Sequence, residues 1–365
     1  MGVTRYFRFL LPEFKTSRTG DILNNYNPAM PVIRADAPHT RICIADYDTR
    51  RLEECCVNGA EEAFGYRDTA TNKWINMDGM RKKDIESLCA HYGIHNLILE
   101  DILSVGQRPK MDEIDDKLYF LLNMLYFNDH EGCVETEQIS IVLGRNIVIS
   151  FQEDDRRDVF NPLREKLKLA SSKVRQNNAD FLCYTMIDLI VDNYYLVLEK
   201  LGDRIEALEE EIIRTSNQST LARVNAFRKE LIVLKRNITP VRDLIMNIGR
   251  SETRLIDNRT AKYFKDVYDH IVQAHDLTEN YRDMMMNLQD LYMNQVNLRA
   301  NEVMKVIAIV TCLLAPATVI GGIFGMNFDA KVNFFHNPMG FYAAVALMLI
   351  IPLAMIILFK KRGWF

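Results

Sequence analysis

The last sixty residues constrain this chain most, because two uncharged, strongly apolar stretches run there from Val306 to Phe324 and from Gly340 to Phe359. A helix rises about 1.5 Å per residue, so roughly 20 such residues cross a hydrocarbon layer about 30 Å thick. The remainder has another character: 26% of the 365 residues are charged, and 45 Lys+Arg nearly balance 49 Asp+Glu. The expectation is a multi-pass membrane protein with a large water-facing part. A net charge of -4 supplies no electrostatic reason to expect a nucleic-acid partner.

Orientation follows from the flanking charges. Lys305 precedes the first stretch and Lys360, Lys361 and Arg362 follow the second, whereas the connection 325–339 carries one lysine, Lys331. Basic residues favour the cytoplasmic side, so both termini are expected in the cytoplasm of a plasma (inner) membrane protein, with a short loop outside. The N-terminal stretch ending in Leu10, Leu11 and Pro12 is soon followed by Glu13 and Lys15 and lacks the apolar core of a signal peptide. Seven cysteines, odd in number and without a CxxC pair, are expected to be reduced thiols.

The fold class expected is α+β. Residues 1–160 read as a cytosolic α/β domain, with strands over Arg41 to Tyr47 and Leu118 to Phe127, and a hairpin of Gln138 to Leu143 and Ile147 to Phe151 about Gly144, Arg145 and Asn146. Asp78 to Tyr92 reads as a helix. After Asn161-Pro162, a helix-start signal, residues 161–257 read as a long antiparallel helical hairpin. Its first arm repeats apolar residues from Met186 to Ile212 and its second from Val224 to Ile248, each at heptad spacing. The acidic outer face of the first arm, Glu199 to Glu211, is read as solvated beside a basic partner helix. From Asn258 no Gly or Pro occurs before Pro316, so 258–324 is expected to be one stalk helix continuing into the first span, on the order of 100 Å long. Then come a loop at 325–339, a second span at 340–359 and a basic cytosolic tail at 360–365.

One line along that stalk is unusual. At three-four spacing it reads Asn287, Asp290, Asn294, Asn297, Asn301, Met304, Ala308, Thr311, Ala315, Thr318, Gly322 and Gly325. A heptad seam that meets a partner helix carries Leu, Ile or Val. Close packing of membrane helices accounts for small residues from Ala308 onward but leaves four asparagines and an aspartate unexplained. Several copies around an axis would turn the line into a water-lined pathway, with rings of amide and carboxylate oxygens and apolar constrictions at Met304 and Ile307 that gate by dewetting.

Directly after the first span stands Gly325-Met326-Asn327. Together with Asn301-Glu302-Val303-Met304-Lys305-Val306, Tyr263-Phe264-Lys265-Asp266-Val267-Tyr268-Asp269-His270, Gln107-Arg108-Pro109-Lys110 and the basic tail, in that family's order, it makes the chain from about residue 40 resemble the CorA family of magnesium channels. The resemblance implies a homopentameric funnel in the lipid bilayer, with stalk helices forming the inner ring of the pore and a selectivity filter at Gly325, Met326 and Asn327. It implies passive uptake of hydrated Mg²⁺ driven by the membrane potential, with Co²⁺ and Ni²⁺ as further ions. Mg²⁺ would be both the transported and the regulatory ion, closing the channel from inside by bridging subunits.

For that regulatory site the resemblance points to Glu100 and Asp101 against Asp266 of a neighbouring subunit, with Asp188 contributing. On its own Asp101 reads as a helix cap or a solvated charge, and Asp269 and His270 read as structural. The loop here is Asp329, Ala330, Lys331, Val332 and Asn333, in place of the family's more acidic one, which leaves capture at the mouth open. A zinc transporter of the same superfamily is the alternative ion reading, and a non-conducting membrane-anchored sensor or scaffold is the alternative class. No nucleophile, catalytic or phosphate-binding constellation is present, so an enzyme is not expected.

Overall fold

The computed structural model describes residues 34–67, 70–153, 158–214, 218–251, 253–326 and 338–364. They fall into two compact units, one drawn from Met1–Glu210 with Ala222–Asn287 and the other from Glu211–Leu221 with Leu288–Phe365.

In the first unit the strands β1 (Arg41–Tyr47), β2 (Leu52–Val57), β3 (Asn72–Asp78), β4 (Lys110–Ile114), β5 (Lys117–Asn128), β6 (Cys133–Gly144) and β7 (Ile147–Gln152) form one sheet in the order β2-β1-β3-β7-β6-β5-β4. Every neighbouring pair is antiparallel except β3 with β7. Strand side chains alternate between faces. Ile42, Ile44, Ile75, Met77, Tyr119, Leu121, Val142, Ile149 and Phe151 therefore share one face, and they pack with a 3₁₀ helix (Ala60–Tyr66), α1 (Lys82–Tyr92) and α2 (Asn96–Leu103) in a single core. The other face carries Trp74, Phe120 and Leu122, also buried, which is why the middle of β5 reads as a continuous apolar run. That face is covered in part by α3 (Asn161–Lys168), whose Phe160 flank meets Trp74 edge-on at 5.9 Å. It is covered further by α5 (Ala179–Arg214), whose Tyr194 hydroxyl donates to the Asn123 carbonyl oxygen at 2.7 Å.

The helix expected from Asp78 starts later, at Lys82. Asp78 ends β3, and Gly79 follows with φ +84°, in the left-handed region where a side chain is strained. The long helical pattern likewise does not start at Pro162: α3 and the single turn α4 (Lys173–Gln176) intervene before α5. From there α5, α6 (Gln218–Ile248) and α7 (Asn258–Phe324) follow in order. Every apolar residue at the heptad positions from Met186 to Ile212 and from Val224 to Ile248 is buried. Within the first unit, α5 and α7 approach so closely at Gly202 that a Cβ there would collide with the Tyr281 hydroxyl.

One cysteine expectation is overturned. Cys43 and Cys56 are direct partners in the β1–β2 pairing, with Cα atoms 4.1 Å apart, and form a disulfide. Their separation of 13 residues has no motif spacing, so only the strand register brings them together. Cys55, Cys89, Cys133, Cys183 and Cys312 are free thiols.

The second unit holds the upper part of α7 and α8 (Pro338–Lys361). Among the described residues three helices, α5, α7 and α8, are long and apolar enough to cross a membrane, and burial separates them. The most apolar window of α5 is 61% buried by protein, those of α7 and α8 only 6%. The apolar side chains of α5 serve a protein core, whereas α7 and α8 offer theirs to a lipid-like surrounding.

Candidate ion pathway and regulatory carboxylates

On α7 the line Asn287, Asp290, Asn294, Asn297, Asn301, Met304, Ala308, Thr311, Ala315, Thr318, Gly322, Gly325 is exposed at every position, as is the adjacent Ile307. The buried residues of this stretch, Met285, Leu288, Tyr292 and Ile309, lie off that line, while all of 297–308 is exposed. In the second unit α8 presents Gly340 and Ala344 as buried residues, and a Cβ built on Gly321 would lie 3.7 Å from the Met348 methyl. The small residues at that contact let the two backbones approach. Among the described residues no side chain of the polar line is buried.

Two hydroxyls on this line are oriented by the helix itself. Thr311 Oγ1 donates to the Ile307 carbonyl oxygen at 2.8 Å, and Thr318 Oγ1 donates to that of Leu314 at 3.0 Å. Each donor is thereby consumed, and what remains to face outward is lone pairs. A hydrated cation presents only water hydrogens, so acceptor-only threonines match it and the asparagine amides add further carbonyl oxygens. Met304 and Ile307, 66% and 59% exposed, are the bulky apolar groups of the line. At the C-terminal end of α7 Gly325 N–H still donates to the Gly321 carbonyl oxygen at 2.9 Å and Met326 N–H to that of Ile323 at 3.2 Å, so the helical turn persists into the Gly-Met pair. Asn327 lies outside the described residues, as does the loop Asp329 to Asn333.

The expected regulatory carboxylates divide into separate groups. Glu100 is exposed on α2. Its neighbour Asp101 is held within the chain: Lys110 Nζ pairs with Asp101 Oδ2 at 2.6 Å and Gln107 Nε2 donates to Oδ1 at 2.9 Å. It is therefore neither a cap nor a solvated charge, because an ion pair immobilises it.

Asp188 on α5 gathers with Asp192 and with His270 of α7, their ligand atoms all within 4.8 Å of one another. Burial and then the nearby Asp192 hold the Asp188 carboxyl above the usual range, with Asp266 adding to the repulsion against the lowering effects of His270 and the Tyr184 hydroxyl. Asp266 itself is exposed one turn before His270. Sequence reading left out Asp192 and took His270 as structural, although Asp188/Asp192 and Asp266/His270 both stand at the i,i+4 spacing that puts two groups on one helix face. His270 Nδ1 is buried with no hydrogen-bond partner and lies 4.0 Å from Asp192 Oδ1. Two carboxylates that repel and an unsatisfied imidazole nitrogen fit a divalent cation, which would satisfy all three.

The family described as CorA-like Mg²⁺ transporter protein matches residues 69–361. The cobalt/magnesium transport protein CorA of Thermotoga maritima is 35% identical over 322 residues, covering 88% of this chain and 91% of that protein. The complete structure of the CorA magnesium transporter from Methanocaldococcus jannaschii superposes with a TM-score of 0.75 at 21% identity, over 92% of this chain and 100% of that one. The ZntB cytoplasmic domain from Vibrio parahaemolyticus superposes with a TM-score of 0.54 at 18% identity, over 70% of this chain and 98% of that one, a likeness of fold. On the family match and the identity to the Thermotoga protein, this chain belongs to the CorA family of Mg²⁺/Co²⁺ transporters.

Proposed function

We propose that the chain is the subunit of a homopentameric channel for passive, potential-driven uptake of divalent cations, chiefly hydrated Mg²⁺. The observation that carries this reading is the unburied line of α7, polar or small from Asn287 to Gly325 apart from Met304, on the side of the helix away from α8. Five copies with that line toward a common axis would stack amide, carboxylate and hydroxyl oxygens in rings. In this assembly 258–324 is stalk and pore-lining helix, 340–359 the outer span, and both termini lie in the cytoplasm. Gly325, Met326 and Asn327 form the filter.

Mg²⁺ gives up its waters reluctantly, so neutral rings that hold it through its hydration shell bind weakly enough to release it. A charge falling through 100 mV gains about 2.3 kcal/mol, roughly twice that for a divalent ion, which is enough to drive entry without nucleotide hydrolysis. Closure by internal Mg²⁺ is assigned to Glu100, Asp101, Asp188 and Asp266. The ion favours the closed state only as far as it binds that state more tightly.

The test is ion flux into liposomes at an imposed inside-negative potential, with Mg²⁺ and Zn²⁺ compared and Asn327→Ala and Asn301→Leu as controls. Mg²⁺ flux that both substitutions abolish is the expected result. Zinc flux alone, following a pH gradient, would make the protein a zinc transporter. No flux of either ion from folded, oligomeric protein would leave a membrane-anchored sensor.

A further inference from the structure

Between the second face of the sheet and α3 lies a cavity of about 310 Å³, lined by none of the residues named above for the ion pathway or its regulation. Strand alternation sends Arg41 and Cys43 of β1, Glu54 and Cys56 of β2, and Trp74, Asn76 and Asp78 of β3 to this face, and α3 adds Arg164 and Lys168. A directed chain of hydrogen bonds builds its floor. Trp74 Nε1 donates to Ser150 Oγ at 2.9 Å, Ser150 Oγ to Asn76 Oδ1 at 2.6 Å, and Asn76 Nδ2 to Asp78 Oδ1 at 2.8 Å.

The Cys43–Cys56 disulfide lines this cavity, with Cys56 exposed and Cys43 half-buried. The charges around it are unequal in availability. Arg164 is paired with Asp158 at 2.5 Å and Lys168 with Glu165 at 2.8 Å. Arg41 makes no ion pair among the described residues, and its Nη2 stands 3.9 Å from Cys56 Sγ. Cys55 is turned to the opposite face, where it packs on the core with its sulfur 3.1 Å from the Tyr66 hydroxyl, so it does not compete for the pair.

We propose that Cys43 and Cys56 form a reversible redox site whose co-substrate is a low-molecular-weight thiol bearing carboxylates, received in this cavity beside Arg41. The incoming thiolate attacks the accessible Cys56 Sγ. A new S–S bond forms there, the Cys43–Cys56 bond breaks, and Cys43 leaves as a thiolate that takes a proton from water. A second thiolate attacks the mixed disulfide, releasing Cys56 and the small-molecule disulfide. The two electrons come from the two thiols, and the reverse sequence restores the protein disulfide. Disulfides of a cytosolic domain are of this exchangeable kind. The guanidinium of Arg41 offsets the negative charge of the thiolate and of the carboxylates as they approach. The proposal does not depend on transport.

The test uses the full-length protein in detergent, equilibrated in glutathione buffers of graded oxidised-to-reduced ratio, then alkylated and mapped by mass spectrometry. The pair is expected to pass between disulfide and dithiol across the series. Cys43→Ser should accumulate a glutathione adduct at Cys56, and Cys56→Ser should accumulate far less adduct at the half-buried Cys43. Arg41→Gln should slow exchange with glutathione roughly fivefold and exchange with 2-mercaptoethanol, whose thiolate carries no carboxylates, by clearly less. Thiols that stay reduced at every ratio, a pair that resists reduction throughout, an adduct on Cys55 in the native protein, or an equal effect of Arg41→Gln on both thiols would each overturn it.

Discussion

Thr318 gives its only hydroxyl hydrogen to Leu314, one turn back along the same helix, at 3.0 Å. An intrahelical bond of this kind holds the oxygen outward as an acceptor whatever lies beyond it. Thr318→Val keeps the shape and removes the acceptor, whereas Thr318→Ser keeps it. Under the channel reading the valine form should pass Mg²⁺ about tenfold more slowly in liposome flux, a loss of roughly 1.4 kcal/mol at one ring, and the serine form should remain near wild type. Equal rates for all three would mean that this ring does not contact the ion's waters.

The Asp188, Asp192 and His270 cluster makes a stability prediction. Burial and Asp192 raise the Asp188 carboxyl, so its ionised form costs the fold something that a bound cation repays. Mg²⁺ should raise the midpoint of thermal unfolding of the native protein. Asp188→Asn should unfold at a higher temperature than wild type without Mg²⁺ and gain less from adding it. Acidification protonates Asp188 and should raise the Mg²⁺ concentration needed for half the effect.

Asp78 carries a pH signature of its own. Burial and the nearby Asp158 push its carboxyl up from 3.8 to about 6. Because the folded value exceeds the unfolded one, the native state takes up a proton first. This group's contribution to stability therefore grows as pH falls from about 6 toward 4 and is lost again as pH rises through 6. Asp78→Asn should remove that part of the pH dependence and stabilise the protein at pH 7 by on the order of 1–2 kcal/mol, read by urea unfolding across the pH range.

Gly202 is required by packing rather than by its backbone angles. Gly202→Ala drives a methyl into the Tyr281 hydroxyl and should destabilise the protein by about 1–3 kcal/mol. Tyr281→Phe removes the closest atom, so the double variant should recover part of the loss. Additive losses in chemical unfolding would show that the two sites do not couple.

Much of this architecture was readable in the chain because its signals are periodic. The strands over Arg41 to Tyr47 and the hairpin about Gly144 to Asn146 are runs rich in β-branched residues, the hairpin with a turn signal between its arms, and the heptad apolar residues of α5 and α6 are buried without exception. β2, Leu-Glu-Glu-Cys-Cys-Val, and β4, Lys-Met-Asp-Glu-Ile, are edge strands rich in charge, and β3 carries Lys73, Asn76 and Asp78. Their strand character comes from the neighbours they pair with, which no local pattern contains. Asp101 shows the same limit at the site: its partner Lys110 is nine positions away on β4, and an ion pair across elements leaves no trace in spacing.

The sequence by itself determined the membrane-length helices, the polar line on α7 and the family, because each is a property of one helix or of an ordered set of short motifs. Tertiary structure decided which apolar helix is core: α5 meets the same composition test as α7 and α8, and only its burial sets it apart. It also decided which cysteines meet, and that His270 and Asp192 join Asp188. The cysteines sit on two different strands, and His270 on a different helix from Asp188 and Asp192. Strand register and helix packing set these contacts, and the free energy that selects a register is summed over the whole core rather than held by the residues that it brings together.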